Sequence, residues 1–202
     1  DAGHYANTAC VDDGADGAGQ VCSTEDVPEN ALPNVTVAKT ADPILIPETG
    51  GPVKFTFIVT NNGQEAATIT SLVDDKFGDL SGDADCQINT VLAVGGYCTF
   101  DATFAVPAGD YPGTHVDTFT ATVSDNDGNS DSGTDSATVT YTDVPGSIVT
   151  MKTANPTAVP ETGGLVNFTV RVENTSAVDA VTIGALVDDV FGNLDGVGTC
   201  DV

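Results

Sequence analysis

The chain has 202 residues, of which 30 are Asp or Glu and only five are Lys or Arg, so its formal net charge is −25. This charge argues against nucleic acid and anionic membrane surfaces as partners of this region, because both repel a strongly acidic protein. The chain contains no Trp and one Met, while Val and Thr are abundant, which favours strands over helices. No apolar run approaches the ~20 residues that a membrane-spanning helix requires.

Residues 1–30 resemble a segment found later in the chain. His4–Val11, an acidic loop and Asp26–Pro28 mirror His115–Val123, its acidic loop and Asp143–Pro145. With the strands of a module lettered A to G in chain order, we predict that 1–30 is the C-terminal F–G hairpin of an incomplete module.

Residues 31–144 alternate between apolar and polar side chains, which is typical of strands with one buried face. The predicted strands cover 35–39, 53–60, 68–73, 98–106, 119–123 and 137–141. One apolar face per strand implies two sheets packed together, and six or seven strands in about 110 residues is the spacing of an immunoglobulin-like sandwich. We therefore predict an all-β chain of tandem immunoglobulin-like β-sandwich modules, with 31–144 as a complete module.

Residues 145–202 repeat the first half of that module. Lys39–Gly51 returns as Lys152–Gly164 after 113 residues, and Leu72–Leu80 returns as Leu186–Leu194 after 114. We predict that 145–202 is the N-terminal half of a further module. Because the repeat is out of phase with the sequence ends, and neither an initiator Met nor a signal peptide is present, we expect an excerpt of a longer polypeptide.

Four of the five cysteines form two pairs with the same spacing. Eleven residues separate Cys10 from Cys22 and Cys86 from Cys98, and Cys200 begins the same pattern again. Paired cysteines without a Cys-x-x-Cys motif predict structural disulfides Cys10–Cys22 and Cys86–Cys98, and hence an extracellular or cell-surface location. Each disulfide would close a short loop, which is worth roughly 3 kcal/mol.

Four segments carry a resemblance to a known family. They are Lys-Thr-Ala-Asp-Pro at 39–43, Pro-Glu-Thr-Gly-Gly at 47–51, Leu-Val-Asp-Asp-x-Phe-Gly at 72–78 and Asp-Asn-Asp-Gly-Asn at 125–129. The chain resembles the DUF11-type immunoglobulin-like tandem repeats of bacterial and archaeal cell-surface proteins, adhesins, stalks and filaments. This resemblance covers essentially the whole chain, and it implies a secreted or cell-surface scaffold rather than an enzyme.

Carboxylates are predicted to meet at one pole of the complete module. In immunoglobulin strand order, the A–B turn, the end of strand C, the E–F turn and the end of strand G share the pole from which the chain leaves. The residues are Glu48, Asp74, Asp75, Asp110 and Asp143. The next module would present its own B–C turn, residues 174–179, towards them. Because carboxylates brought together repel one another, we predict a calcium ion at this junction; alternatively, the side chains are solvated and point apart.

A second calcium hypothesis concerns the F–G loop. Asp125, Asp127, Asn129 and Asp131 alternate as the first ligands of an EF-hand do, although Gly128 stands at position 4 rather than 6 and position 12 lacks a Glu. A mobile, solvated hairpin is the alternative. Most of the 24 Asp residues fall in Gly-containing loops, which suits a divalent cation, whereas an acidic surface adapted to high salt is the other interpretation.

The remaining motifs give weaker signals. Lys39 and Lys152 open the two copies, and in some immunoglobulin-like surface domains such a Lys forms an isopeptide bond with Asn. No Asn and acid partners are evident in the sequence, so ordinary strand lysines are expected. Asn174 stands in an Asn-Thr-Ser motif in a loop and is a candidate glycosylation site. No Ser/His/Asp set is evident, and exposed loop acids are the wrong setting for general acid catalysis, so we expect no enzyme activity.

We expect a structural role, as a calcium-stiffened rod, stalk or filament whose modules or copies contact one another head-to-tail. One alternative is the spacer region of a giant cell-surface adhesin whose binding tip lies elsewhere. Another is a filament subunit, in which the 1–30 hairpin of one copy completes the 145–202 half-module of another by strand complementation. Together these two pieces fall short of a full repeat, which favours an excerpt over a subunit.

Overall fold

The computed structural model of the chain describes residues 4–12, 14, 19–28 and 31–200. Regular secondary structure in these residues is entirely β-strand, which confirms the all-β prediction. None of the described residues forms a helix that could cross a membrane. The strands are β1 (His4–Val11), β2 (Val21–Pro28), β3 (Val35–Asp42), β4 (Leu45–Pro47), β5 (Gly51–Asn61), β6 (Ala67–Asp74), β7 (Gly78–Asp79), β8 (Val91–Leu92), β9 (Tyr97–Val106), β10 (Thr114–Ser124), β11 (Ser130–Thr142), β12 (Ile148–Asn155), β13 (Asn167–Asn174), β14 (Val187–Asp188) and β15 (Gly192–Asn193).

The chain divides into two compact units. The first unit comprises Asp1–Leu45, Pro52–Val106 and Thr114–Thr140, and the second comprises Ile46–Gly51, Pro107–Gly113 and Tyr141–Val202. Of residues 31–144, the second unit therefore contains two turns and the end of β11. It also contains the residues that follow 144.

Two sheets supply most of the first unit. The larger has the order β4-β11-β10-β6-β7, with β8 also paired to β6, and the smaller has the order β3-β5-β9. Burial alternates along β5, whose inward side chains at 53, 55, 57 and 59 are fully buried. The Phe57 ring on β5 meets the Phe119 ring on β10 with centroids 4.9 Å apart, so the two sheets face each other across a shared core. This arrangement is consistent with a β-sandwich.

Aromatic side chains fill the space between the sheets. Phe57 stacks on Phe100 with ring centroids 4.7 Å apart, and Phe77 stacks on Phe104 at 4.2 Å. Burying one such side chain contributes about 1.5–3 kcal/mol, so these rings supply much of the stability of the first unit. The other fully buried apolar side chains include Val53, Val59, Ile69, Leu72, Ala121, Val123 and Val139.

Two carboxylates attach the edge strand of the smaller sheet to β11. Asp131 accepts a hydrogen bond from the backbone N–H of Val35 at 2.7 Å, and Asp135 accepts one from that of Lys39 at 2.8 Å. Gly133 lies between them, where a Cβ atom would stand only 3.0 Å from the Val35 carbonyl oxygen. Backbone donors on the edge of β3 are thus satisfied by side chains, which protects this edge from pairing with another chain.

The strand pairs at the two ends of the chain are more exposed than these sheets. The described side chains of the β1–β2 hairpin are all exposed, and so are most of those of the β12–β13 pair. Phe168 on β13 is 45% exposed, whereas Phe55, at the equivalent repeat position on β5, is 0% exposed. The same residue type is therefore buried or open according to whether further strands cover it.

Candidate functional site

Glu48 directly follows β4 and is buried, with 2% of its surface exposed. Its Oε2 accepts a hydrogen bond from the backbone N–H of Tyr111 at 3.0 Å, and its Oε1 accepts one from that of Val144 at 2.7 Å. The Glu48 backbone also bonds to Thr142 and Gly109. Two other segments of the second unit therefore fix this carboxylate, and each oxygen retains a further lone pair.

Three carboxylates of the second unit converge. Oxygen atoms of Glu48, Asp143 and Asp179 lie within 4.8 Å of one another. Asp143 directly follows β11 and is exposed, whereas Asp179 lies between β13 and β14 and is half-buried. Because Ca²⁺ binds oxygen at about 2.3–2.6 Å, oxygens at this separation can coordinate one ion. We refer to Glu48, Asp143 and Asp179 as the pole cluster.

The electrostatics of the pole cluster favour a bound cation. Burial raises the pKa of Asp179 above its ordinary value of 3.8, and the charges of Glu48, Asp143 and Asp110 raise it further. A raised carboxyl pKa means that the surroundings destabilise the ionised form. A cation bound among these oxygens would remove that penalty.

The structure gives the other carboxylates of the junction hypothesis different surroundings. Asp110 is exposed and adds its charge to the pole cluster without joining it. Asp75 accepts a hydrogen bond from the Thr118 N–H at 2.7 Å, which is the main reason that its pKa is lowered. Asp74 is fully buried against Lys39. The structure does not bring Asp74 and Asp75 to the pole cluster, because both make local bonds within the first unit.

Hydrogen bonds engage the carboxylates of the predicted F–G loop. Asp125 accepts the backbone N–H groups of Asp127 at 3.0 Å and Asn129 at 2.8 Å, and the Asn129 side-chain amide at 2.8 Å. Burial opposes ionisation of Asp125, but these hydrogen bonds outweigh it and lower the pKa. Asp131 points instead to the Val35 N–H. Within the described residues, Asp125, Asp127 and Asp131 do not form a group close enough to share a metal ion, and calcium at this loop stays a prediction.

Both cysteine pairs are joined by disulfides. Cys10 and Cys22 occupy directly opposite positions on β1 and β2. Cys86 and Cys98 are buried and connect the loop after β7 to β9. Cys200 has no disulfide partner among the described residues. Two disulfides are typical of an oxidising environment outside the cytoplasm.

Asn174 closes its own loop. Its Nδ2 donates to the backbone carbonyl of Asp179 at 2.8 Å, and its Oδ1 accepts from the Ser176 N–H at 2.9 Å. The buried Asn61 makes the equivalent bond to the Glu65 carbonyl, also at 2.8 Å. A glycan on Nδ2 would have to fit beside the bond that holds Asp179 in place, and glycosylation of Asn174 stays a prediction.

A second cluster, not predicted from the sequence, lies in the core of the first unit. The side chains of Lys39, Asp74 and Asp117 are all 0% exposed. The Lys39 Nζ lies 2.5 Å from Asp74 Oδ2 and 2.7 Å from Asp117 Oδ1. The same Nζ is 4.7 Å from the centroid of the Phe55 ring, within cation–π range. We refer to Lys39, Asp74 and Asp117 as the core triad.

The two acids of the core triad differ in their other partners. Oδ1 of Asp74 accepts the backbone N–H groups of Lys76 at 3.0 Å and Phe77 at 3.1 Å. The Asp117 carboxyl contacts Lys39 and lies 3.7 Å from the Nε2 of His115, an atom that is buried and has no hydrogen-bond partner. Burial raises the pKa of Asp117, although Lys39 opposes the shift. Asp74 is therefore surrounded by donors, whereas burial disfavours the ionised form of Asp117.

The alternation of inward and outward side chains along the strands could have indicated the core triad. Lys39 has the same inward phase on β3 as the buried Val35, and Asp117 has the inward phase of Phe119 on β10. The second copy keeps part of the arrangement, since Lys152 contacts Asp188. Hydrogen bonds from Lys152 and from the backbone of the following turn lower the pKa of Asp188 to about 2.

No protein-family model matches the chain, and no curated protein matches it. The resemblance to DUF11-type repeats therefore stays a prediction.

Proposed function

We propose that this chain is part of an extracellular structural protein, in which immunoglobulin-like modules follow one another as a rod, stalk or filament stiffened by calcium. The observation that carries the proposal is the pole cluster. Glu48 and Asp143 belong to residues 31–144, whereas Asp179 belongs to the copy that follows. An ion held by all three would couple one copy to the next.

The strand pairing supports a repeated design. Val35 lies opposite Asn61 in the β3–β5 pair, and Ile148 lies opposite Asn174 in the β12–β13 pair, 113 residues further on at both positions. The short β6–β7 and β14–β15 pairs correspond in the same way. Residues 145–202 thus begin with the same pairing pattern as residues 31–144, as expected of tandem modules.

The oxygen donors fit calcium better than other common ions. Hard cations prefer carboxylate oxygens, and Ca²⁺ tolerates irregular geometry with six to eight ligands. Three carboxylates leave several positions for water, which points to a weak site with a Kd of about 10⁻⁴–10⁻³ M, as in extracellular modules. Extracellular calcium would occupy such a site, and chelation would empty it. The spacer of a larger adhesin would use the same coupling and differ only in carrying a binding tip elsewhere.

We expect Asp179→Asn to abolish binding of one Ca²⁺ per chain, because it removes the carboxylate that the second copy contributes. Asp189→Asn is the matched control, since Asp189 is an exposed acid of the same copy outside the pole cluster. Isothermal titration calorimetry with CaCl₂ measures calcium binding by both variants. Binding should also weaken as the pH falls towards the raised pKa of Asp179, because protonation removes a ligand.

Equal calcium binding by Asp179→Asn and Asp189→Asn would place the ion elsewhere. For the stiffening itself, small-angle scattering compares the radius of gyration and the maximum dimension in calcium and in chelator. We expect a narrower distribution of dimensions with calcium. The same distribution in both conditions would eliminate the stiffening role even if calcium binds.

A filament subunit that polymerises by strand complementation is the second candidate, and the exposed strand pairs favour it. Leu165 is 95% exposed, and Phe168 and Met151 are also exposed, although the β5 counterpart of Phe168 is buried. Under this candidate, the purified chain forms head-to-tail oligomers whose mass rises with concentration, because association covers these side chains. Analytical ultracentrifugation would detect them, and Phe168→Ser should weaken the association. A concentration-independent monomer argues against this candidate and leaves the tandem rod.

A further inference from the structure

We propose that Lys39 and Asp117 become joined by an intramolecular amide bond in the core of the first unit, with Asp74 transferring the protons. The geometry of the core triad carries this inference. The Lys39 Nζ lies between two carboxyl groups, 2.5 Å from Asp74 Oδ2 and 2.7 Å from Asp117 Oδ1, and none of the three side chains reaches solvent. This assigns a covalent modification site that is separate from the pole cluster.

The surroundings favour condensation over a lasting ion pair. Charges held inside a protein are costly even when paired, and forming an amide removes the charge of Lys39. Phe55, Phe57 and Phe77 surround the Nζ at 4.7, 5.5 and 6.0 Å from their ring centroids. Their rings keep water, which would drive hydrolysis, away from the reacting atoms. The fold also holds amine and carboxyl in contact, and such proximity greatly accelerates intramolecular reactions.

The two acids suit different roles in the reaction. Asp74 accepts hydrogen bonds from two backbone N–H groups as well as from Lys39, which holds its carboxylate against Nζ in position to exchange a proton. Asp117 lacks such backbone donors and is fully buried, which disfavours its ionised form, and the neutral acid is the form that an amine can attack. The Nε2 of His115, 3.7 Å from Asp117 Oδ2, is a positioning group that can donate to the oxygen on which charge develops.

The step balances without an oxidant or a further reactant. The Lys39 ammonium first gives a proton to the Asp74 carboxylate, which frees the lone pair of Nζ. Nζ then attacks the carboxyl carbon of neutral Asp117 and forms the N–C bond. Asp74 moves a proton from the nitrogen to the departing hydroxyl, the C–O bond breaks, and water leaves. The products are a secondary amide, one water molecule and protonated Asp74, and no atom changes oxidation state.

The chain contains internal comparisons for this reaction. Lys152 contacts Asp188 but has no second carboxyl group within ion-pair distance among the described residues. Lys54 pairs with Asp101 at 3.4 Å on the surface, where both side chains are about half exposed. Neither lysine should form an amide, because the first lacks a second acid and the second lacks shielding from water.

Intact-mass spectrometry of the reduced and denatured full chain tests the proposal. We expect a mass lower than that of the sequence by one water molecule, and proteolysis should give a peptide containing Lys39 joined to one containing Asp117. Asp117→Ala and Asp74→Ala should each restore the full mass. Asp101→Ala, which removes the exposed partner of Lys54, should keep the loss.

The unmodified wild-type chain decides the question even if a core variant fails to fold. A wild-type mass equal to that of the sequence overturns the proposal. A bond mapped to Asp74 instead of Asp117 overturns the assignment of roles. The loss of water could instead map to an Asp-Gly sequence such as Asp127–Gly128 and be sensitive to hydroxylamine, which opens a succinimide ring. That result would also overturn the proposal.

Discussion

The substitution Lys39→Met is expected to lower the free energy of unfolding of the first unit by about 3–5 kcal/mol. Met roughly preserves the volume of the side chain but removes a cation that contacts two fully buried acids. Asp74 and Asp117 would then face each other without a counter-charge. If the proposed amide has formed, the wild-type chain carries no charge on Lys39, and the loss then comes from the missing cross-link and from the two acids left facing each other. Urea denaturation followed by circular dichroism measures the change.

The pH dependence of this loss gives a second readout. Burial raises the pKa of Asp117 and Lys39 opposes that shift, so without Lys39 the pKa of Asp117 in the folded variant rises further above the ordinary 3.8. The penalty is therefore fully present above the raised folded-state pKa, fades as the pH falls from there, and is gone below the unfolded-state pKa. The difference between variant and wild type should shrink on acidification.

Lys152→Met is the matched control, because Lys152 occupies the equivalent repeat position but its side chain is 41% exposed. We expect a change of about 1 kcal/mol or less there, as for other exposed ion pairs. Equal effects of the two substitutions would show that burial of the core triad does not determine its energetic role.

Phe55→Ala is expected to cost about 3–5 kcal/mol, the usual range for removing a fully buried aromatic ring. The Phe55 ring contacts those of Phe57, Phe77 and Phe104 with centroids 6.5, 5.7 and 6.3 Å away, so truncation leaves a cavity that its neighbours cannot fill. Equilibrium denaturation, with hydrogen exchange to locate the unfolding unit, measures the loss.

Phe168→Ala provides the comparison within the same chain. Phe168 is equivalent to Phe55 in the repeat but is 45% exposed, so its truncation should cost only about 1 kcal/mol. A similar loss at both positions would mean that Phe168 is covered in solution, as strand complementation requires.

The strands of the first unit could be predicted where one face is apolar. Residues 53–60 alternate without interruption, and the structure forms β5 there. By contrast, β10 begins at Thr114 and β11 at Ser130, several residues before the apolar alternation starts. The β11 extension carries Ser, Asp, Gly and Thr because it lies beyond the hydrophobic core, whereas the β10 extension contains the buried Asp117. Hydrophobic periodicity detects burial, whereas a strand ladder continues for as long as backbone groups can pair.

The candidate sites show the same limit. Strand order was sufficient to predict that Glu48 and Asp143 approach each other, because both lie at strand ends. It did not indicate that the Asp74 side chain turns inward to Lys39, because the direction of a side chain depends on its phase along the strand. The alternation ending at Asp131 resembled a calcium loop, but Asp131 is already part of β11. Both a strand and an EF-hand place polar side chains at every second position.

The carboxylate bonds between β3 and β11 have a consequence under mechanical force. The Val35 N–H donates to the Asp131 side chain, and the Lys39 N–H donates to the Asp135 side chain. Because both partners advance by four residues, β3 and β11 run in the same direction along this edge. Tension along the chain would pull the start of β3 and the end of β11 in opposite directions. The bonds along the edge would then be loaded together in shear and would have to break at nearly the same moment. Such an edge resists extension much better than a hairpin that opens one bond at a time.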